Sequence, residues 1–150
     1  LLAMFAVFTE RTHRAKDTTL RMLERYSSPE VSHARMIAYK RLTPPSDANV
    51  VADSDANVVA DLDDPIYRAV STVTHFWADL ATLDLKGMLD RELVTALFDQ
   101  PWRDVWGPCL SKLQYIDPPS ATSDSKKHAD RFNRWLEEHV TTPLNARFQT

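Results

Sequence analysis

Apolar residues recur along this chain at intervals of three and four, and nowhere do they alternate at every second position over a useful length, so the pattern predicts helices and no sheet. Leu1 to Phe8 is uninterrupted apolar and gives way abruptly to Thr9-Glu10-Arg11-Thr12-His13-Arg14-Ala15-Lys16. From Thr9 to Tyr26 there is no glycine or proline, and Leu20, Leu23 and Tyr26 keep helical spacing, which predicts a long first helix. Ser28-Pro29-Glu30 supplies an N-cap, a proline for the first helical position and an early acid. A second helix should run from there to about Leu42, with Val31, Ala34, Ala38 and Leu42 as its apolar stripe and Arg35 and Lys40 facing away. The first two helices are expected to form an antiparallel hairpin.

Asp64-Pro65 starts a third helix by the same capping logic, carrying Ile66, Val70, Val73, Phe76, Trp77, Leu80 and Leu83 to a stop at Gly87. Asp90 caps a short fourth helix with Leu93, Val94, Leu97 and Phe98 inward. Pro101 opens a fifth, with Trp102, Val105, Trp106, Cys109 and Leu113 on one side. After a polar loop from Asp117 to Ser125, built on Pro118-Pro119, a last helix from about Lys126 to Val140 should bury Phe132, Trp135 and Leu136. Residues 141–150 are left as a tail. The fold class is all-α, a bundle of about five to six helices, with Phe76, Trp77, Trp102, Trp106 and Trp135 as its core aromatics.

Thr43 to Asp64 differs in kind, because the octapeptide Ser-Asp-Ala-Asn-Val-Val-Ala-Asp occurs twice in tandem, at Ser46 to Asp53 and Ser54 to Asp61. A repeat this short is no packing unit for a solenoid, so it reads as a duplication inside a tolerant acidic surface loop.

At 150 residues the chain suits one domain, residues 9–140, preceded by the apolar segment 1–8. Only two glycines are present, which leaves no material for a phosphate-cradling loop or a dinucleotide fingerprint. The formal net charge of −3 argues against nucleic acid as a partner. The lone Cys109 excludes an intrachain disulfide. Leu1 to Phe8 falls far short of the roughly 20 apolar residues that cross a bilayer. We expect it to be the end of a membrane span from which the first helix continues, since Arg11, Arg14, Lys16, Arg21 and Arg25 form the basic flank that the cytoplasmic side of such a span carries.

Candidate chemistry is thin. Glu10 with His13 and Glu30 with His33 are two Glu-x-x-His motifs, the kind that contributes to di-iron centres in bundles. In an antiparallel pair turning near Ser28 they would sit at different levels, about 21 and about 7 Å from the turn. Asp53-Ser-Asp55-Ala-Asn57 with Asp61 and Asp64 imitates a calcium loop, but Val58 stands where the sharp turn needs glycine. Cys109 lacks an adjacent base. His75 abuts a core stripe, His128 and His139 are three turns apart, and Glu137-Glu138 reads as a solvated face. We therefore assign no catalytic, cofactor-binding or metal-binding residues.

The runs Val73-Thr-His-Phe-Trp-Ala-Asp-Leu-Ala-Thr-Leu, Gly87-Met-Leu-Asp90-Arg-Glu-Leu-Val-Thr-Ala-Leu-Phe and Trp102-Arg-Asp-Val-Trp-Gly-Pro resemble an uncharacterised bacterial and phage family, domain of unknown function 4760. Ser28-Pro29-Glu30 followed by Ala34-Arg35 is similar to its second helix, and the resemblance spans most of residues 9–140. It implies a membrane helix, then a basic helix and an aromatic-rich bundle, and it brings no catalytic residues. The expectation is a non-enzymatic, membrane-anchored accessory subunit or adaptor, its domain on the cytoplasmic side, contacting a protein partner and an anionic lipid surface. The rivals are a helical-bundle enzyme or ligand-binding protein with a site assembled around His75, Asp79 and the tryptophan helix, and a phage or defence factor.

Overall fold

The computed structural model describes residues 1–42, 65–113 and 123–148, and for 123–129 only the backbone. The duplicated acidic loop, with its calcium-like spacing, the Pro118-Pro119 loop and the side chain of His128 lie outside the described residues. The described residues contain no strand; they form α1 (Leu2–Ser27), α2 (Pro29–Leu42), α3 (Pro65–Leu85), α4 (Arg91–Pro101), α5 (Gly107–Ser111), α6 (Ser123–Leu136) and α7 (Thr142–Phe148). Short π-helical segments, Trp102–Trp106 and Glu137–Thr141, join α4 to α5 and α6 to α7.

The first helix runs unbroken from Leu2, so the apolar start and the basic stretch after it are one element. Its 26 residues make a rod about 39 Å long. Only Thr19 and Met22 on α1 are buried, so the second half packs while the first half projects. Ser28, with φ −61° and ψ 151°, is the single extended residue before α2, and its hydroxyl accepts from the Val31 amide at 3.4 Å as the N-cap.

The antiparallel hairpin of α1 and α2 does not form. A helical hairpin needs a loop of about 2–5 residues, and one residue redirects the chain without folding it back. The length of α2 instead lies on α3. Arg35 does not face away, as its position on α2 suggested. Its guanidinium sits 3.7 Å above the Tyr26 ring and donates to the Tyr26 carbonyl at 3.0 Å, clasping the corner.

α1 runs antiparallel to α3. Tyr26 meets Phe76 at 5.1 Å between ring centroids, Arg25 pairs with Asp79 at 2.5 Å, and the Asp90 amide beyond α3 donates to the Thr19 hydroxyl at 2.9 Å. α3 is the central element. Its Phe76 and Trp77, both fully buried, pack with Tyr26 and Phe98, and Trp77 reaches Trp102 at 5.1 Å. These separations are those at which tilted and edge-on aromatic pairs attract. Trp106 completes the buried set at 3% exposure. Trp135, expected in the core, is half-buried: it packs on the core's edge with His75 on one side and the His139 ring stacked beside it.

Pro101 does not open a new helix. The chain continues through it, and the Gly107 amide bonds back to the Trp102 carbonyl across a widened π turn. Pro108 supplies the reason, because it has no amide hydrogen and its ring crowds the carbonyl four residues earlier. The same device recurs where Pro143 follows the Glu137–Thr141 segment, with Thr142 bonding to the Glu137 carbonyl. The last helix accordingly runs past Val140, and residues 142–148 are a packed element rather than a tail. Leu136, Val140, Leu144 and Phe148 are all buried. A spacing of four drifts off one face of an α-helix, and the wider π turn restores the phase.

Candidate functional site

The C-terminal end of α3 is locally encoded. Gly87 adopts φ +67°, its amide donates to the Asp84 carbonyl at 3.0 Å, and the Met88 amide donates to the Leu83 carbonyl at 3.0 Å. This is the paired capping arrangement that a glycine just past a helix end permits. Three residues on, the Asp90 carboxylate accepts from the Leu93 amide at 2.9 Å and starts α4. The resulting tight turn presents Lys86, Gly87 and Met88 toward α1.

Opposite that turn α1 presents Arg11, Arg14, Ala15, Asp17, Thr18 and Arg21, and the two elements enclose an open cleft of about 530 Å³. At 100° per residue Arg11, Arg14, Arg21 and Arg25 fall within an arc of about 80°, while Lys16 lies about 180° from its centre. The expected five-residue basic face is therefore divided. Arg11, Arg14 and Arg21 line the cleft, Arg25 is paired with Asp79 beside the core, and Lys16 points elsewhere. Arg14 pairs with Glu10 one turn earlier. Among the described residues Arg11, Arg21 and Lys86 have no carboxylate partner, so once Arg14 is paired with Glu10 the cleft lining holds three cations against Asp17. Lys86 was missed in the sequence; the one signal for it was a lysine immediately before a capping glycine.

The projecting end of α1 adjoins this cleft. Leu1, Leu2, Met4, Phe5, Val7 and Phe8 are 57–110% exposed. Ala3, Met4, Val7 and Phe8 line a shallow apolar groove that shares Arg11 with the basic cleft. Among the described residues, no helix is long and apolar enough to cross a membrane.

The other candidates are not brought together. No group of three or more His, Cys, Asp or Glu side chains that could hold a metal exists among the described residues, so the Glu10/His13 and Glu30/His33 motifs remain separate exposed pairs. His75 bonds through Nδ1 to the Ser71 carbonyl at 2.7 Å, and Asp79 is occupied by Arg25. Beside them the buried rings of Phe76, Trp77 and Trp102 pack against one another. Cys109 is buried, and that burial pushes its thiol up from its ordinary range, the reverse of an activated nucleophile.

Comparison with family models, curated proteins and solved structures gave no match to this chain.

Proposed function

We propose that this protein is a non-enzymatic helical adaptor or accessory subunit held at a membrane by the first two turns of α1, with its bundle on the cytoplasmic side. The observation that carries the reading is the exposure of Leu2, Met4, Phe5, Val7 and Phe8 around the whole circumference of a projecting helix. A helix that is apolar on every side belongs in a protein core or in lipid, and α1 has no core around this end. Each large side chain removed from water there gains about 1.5–3 kcal/mol. The cationic turns that follow suit the cytoplasmic leaflet, where basic residues next to an apolar segment are retained. The reading agrees with what the resemblance over most of residues 9–140 implies, a membrane helix followed by a basic helix. Its protein contacts would fall on the exposed faces of the bundle.

The test is flotation of the whole chain with vesicles. The protein should rise with the lipid, and Phe5→Ser combined with Phe8→Ser should leave it at the bottom of the gradient with an unchanged far-ultraviolet spectrum. Equal flotation of both proteins would overturn the anchoring role.

A further inference from the structure

We infer that the cleft between α1 and the α3–α4 turn binds the phosphate of an anionic phospholipid headgroup. The inference deepens the membrane reading above and rests on it.

The apolar groove and the basic cleft are consecutive stretches of the same side of α1, joined at Arg11, which lines both. A ligand covering that side must be apolar where it meets Val7 and Phe8 and anionic from about one turn later onward, which describes an amphiphile rather than an acidic peptide or a free anion. The length scale sets the orientation. Arg11 and Arg14 lie about 4.5 and about 9 Å beyond Phe8 along the axis. Each headgroup layer of a bilayer is about 5–8 Å deep. With Phe8 at the acyl boundary of an upright helix only Arg11 stands in the headgroup layer, and Arg21 lies about 19.5 Å beyond Phe8, so the cleft meets a phosphate with α1 tilted into the interface, its cleft side toward the lipid.

The charges are disposed for a multiply charged phosphate. Arg11, Arg21 and Lys86 have no carboxylate partner among the described residues. An arginine fork matches phosphate oxygens in pairs, and a lysine adds a point charge from the opposite wall. The amides of Gly87 and Met88 are engaged with the Asp84 and Leu83 carbonyls, so recognition falls to the side chains alone. A phosphomonoester headgroup, with its second charge, is therefore favoured over a phosphodiester. The paired caps also hold Lys86 in register with α1.

The experiment measures binding of the whole chain to vesicles of phosphatidylcholine alone, with phosphatidylglycerol, and with phosphatidic acid, the last two matched in surface charge. The wild type should prefer phosphatidic acid. Arg21→Gln combined with Lys86→Gln should lower that affinity roughly 30-fold, at about one tenfold step or somewhat less per cation, and leave binding to phosphatidylcholine intact. Lys16→Gln combined with Lys40→Gln removes the same charge away from the cleft and should lower it far less. Equal losses in the two double variants would mean a diffuse electrostatic attraction and overturn the inference while the membrane reading stands. Binding to no vesicle would overturn both. A second readout follows the Gly87 and Met88 amide resonances during titration with inorganic phosphate and with a short-chain phosphatidic acid. Larger and tighter shifts with the lipid support the assignment, and saturation by inorganic phosphate at equal concentration would overturn the lipid as its source.

Discussion

Arg147, one residue from the end of the last helix, places its Nε 3.0 Å from a carboxylate oxygen of Asp84 at the end of α3. Its Nη2 also donates to the Arg91 carbonyl at 2.8 Å and the Thr95 hydroxyl at 3.1 Å, so one side chain ties α7 to both α3 and α4. The two side chains are each only 15% exposed. Breaking a largely desolvated pair leaves the other charge without compensation.

Arg147→Ala should accordingly lower unfolding free energy by about 2–4 kcal/mol. Urea denaturation of Arg147→Ala, Asp84→Asn and the double variant measures it, and the two losses should fail to add. Additive losses, or a single loss of under about 0.5 kcal/mol, would show that the staple does not hold α7.

The chain's two glycines are required for different reasons, and substitution separates them. At Gly87 an added Cβ would meet nothing within 4 Å, so the cost of Gly87→Ala is conformational, about 1 kcal/mol for an L-residue at φ +67°. At Gly107 the Cβ would lie 2.9 Å from the Trp102 carbonyl oxygen and 3.1 Å from its indole nitrogen. That indole is held by a 3.0 Å hydrogen bond to Asn145 and is 1% exposed, so it has little room to retreat. Gly107→Ala should cost about 1–3 kcal/mol, although alanine ordinarily stabilises a helix interior. A gain of stability on urea unfolding would contradict the close approach across the π turn.

Burial raises the Cys109 thiol above its ordinary value of 9.0, with Lys112 opposing part of the shift. The folded state thus keeps its proton to higher pH than the unfolded chain does. The stability this contributes is full below the ordinary thiol pKa and is lost as pH rises through the raised folded value. Two consequences are measurable: stability should show no cysteine-dependent change from about pH 7 to 8 and should fall in mildly alkaline solution, and Cys109→Ala should remove that fall. Thiol labelling at neutral pH should track global unfolding. Rapid labelling of the native protein would refute the buried environment.

Local chemistry was legible in the sequence wherever a few adjacent residues decide the outcome. Ser28 and Asp90 cap the helices they were expected to cap, Gly87 ends α3 in the left-handed conformation, and the three- and four-residue spacing of Val73, Phe76, Trp77 and Leu80, and of Trp102 and Trp106, marks a buried core. All of these depend on one helix at a time. The partner of α2 does not, because its stripe of Val31, Ala34, Ala38 and Leu42 fits any apolar surface and only the one-residue joint at Ser28 turns it toward α3.

The π turns were hidden because a period of 3.6 places Leu144 and Phe148 out of phase, and the widened turn that brings them back is a response to Pro143 in a packed environment. The candidate site shows the same division. Five basic residues on α1 were evident from composition, and helical periodicity alone separates Lys16 from the rest. What makes a cleft of Arg11, Arg14 and Arg21 is Lys86, which lies across an antiparallel packing of α1 on α3. The all-helical class, the caps at Ser28, Gly87 and Asp90 and the apolar and cationic order along α1 follow from the amino-acid sequence alone, because those are set within a turn or two of chain. Which cations share a space, and where the helix axis widens, follow from packing, because both depend on contacts between segments far apart in sequence.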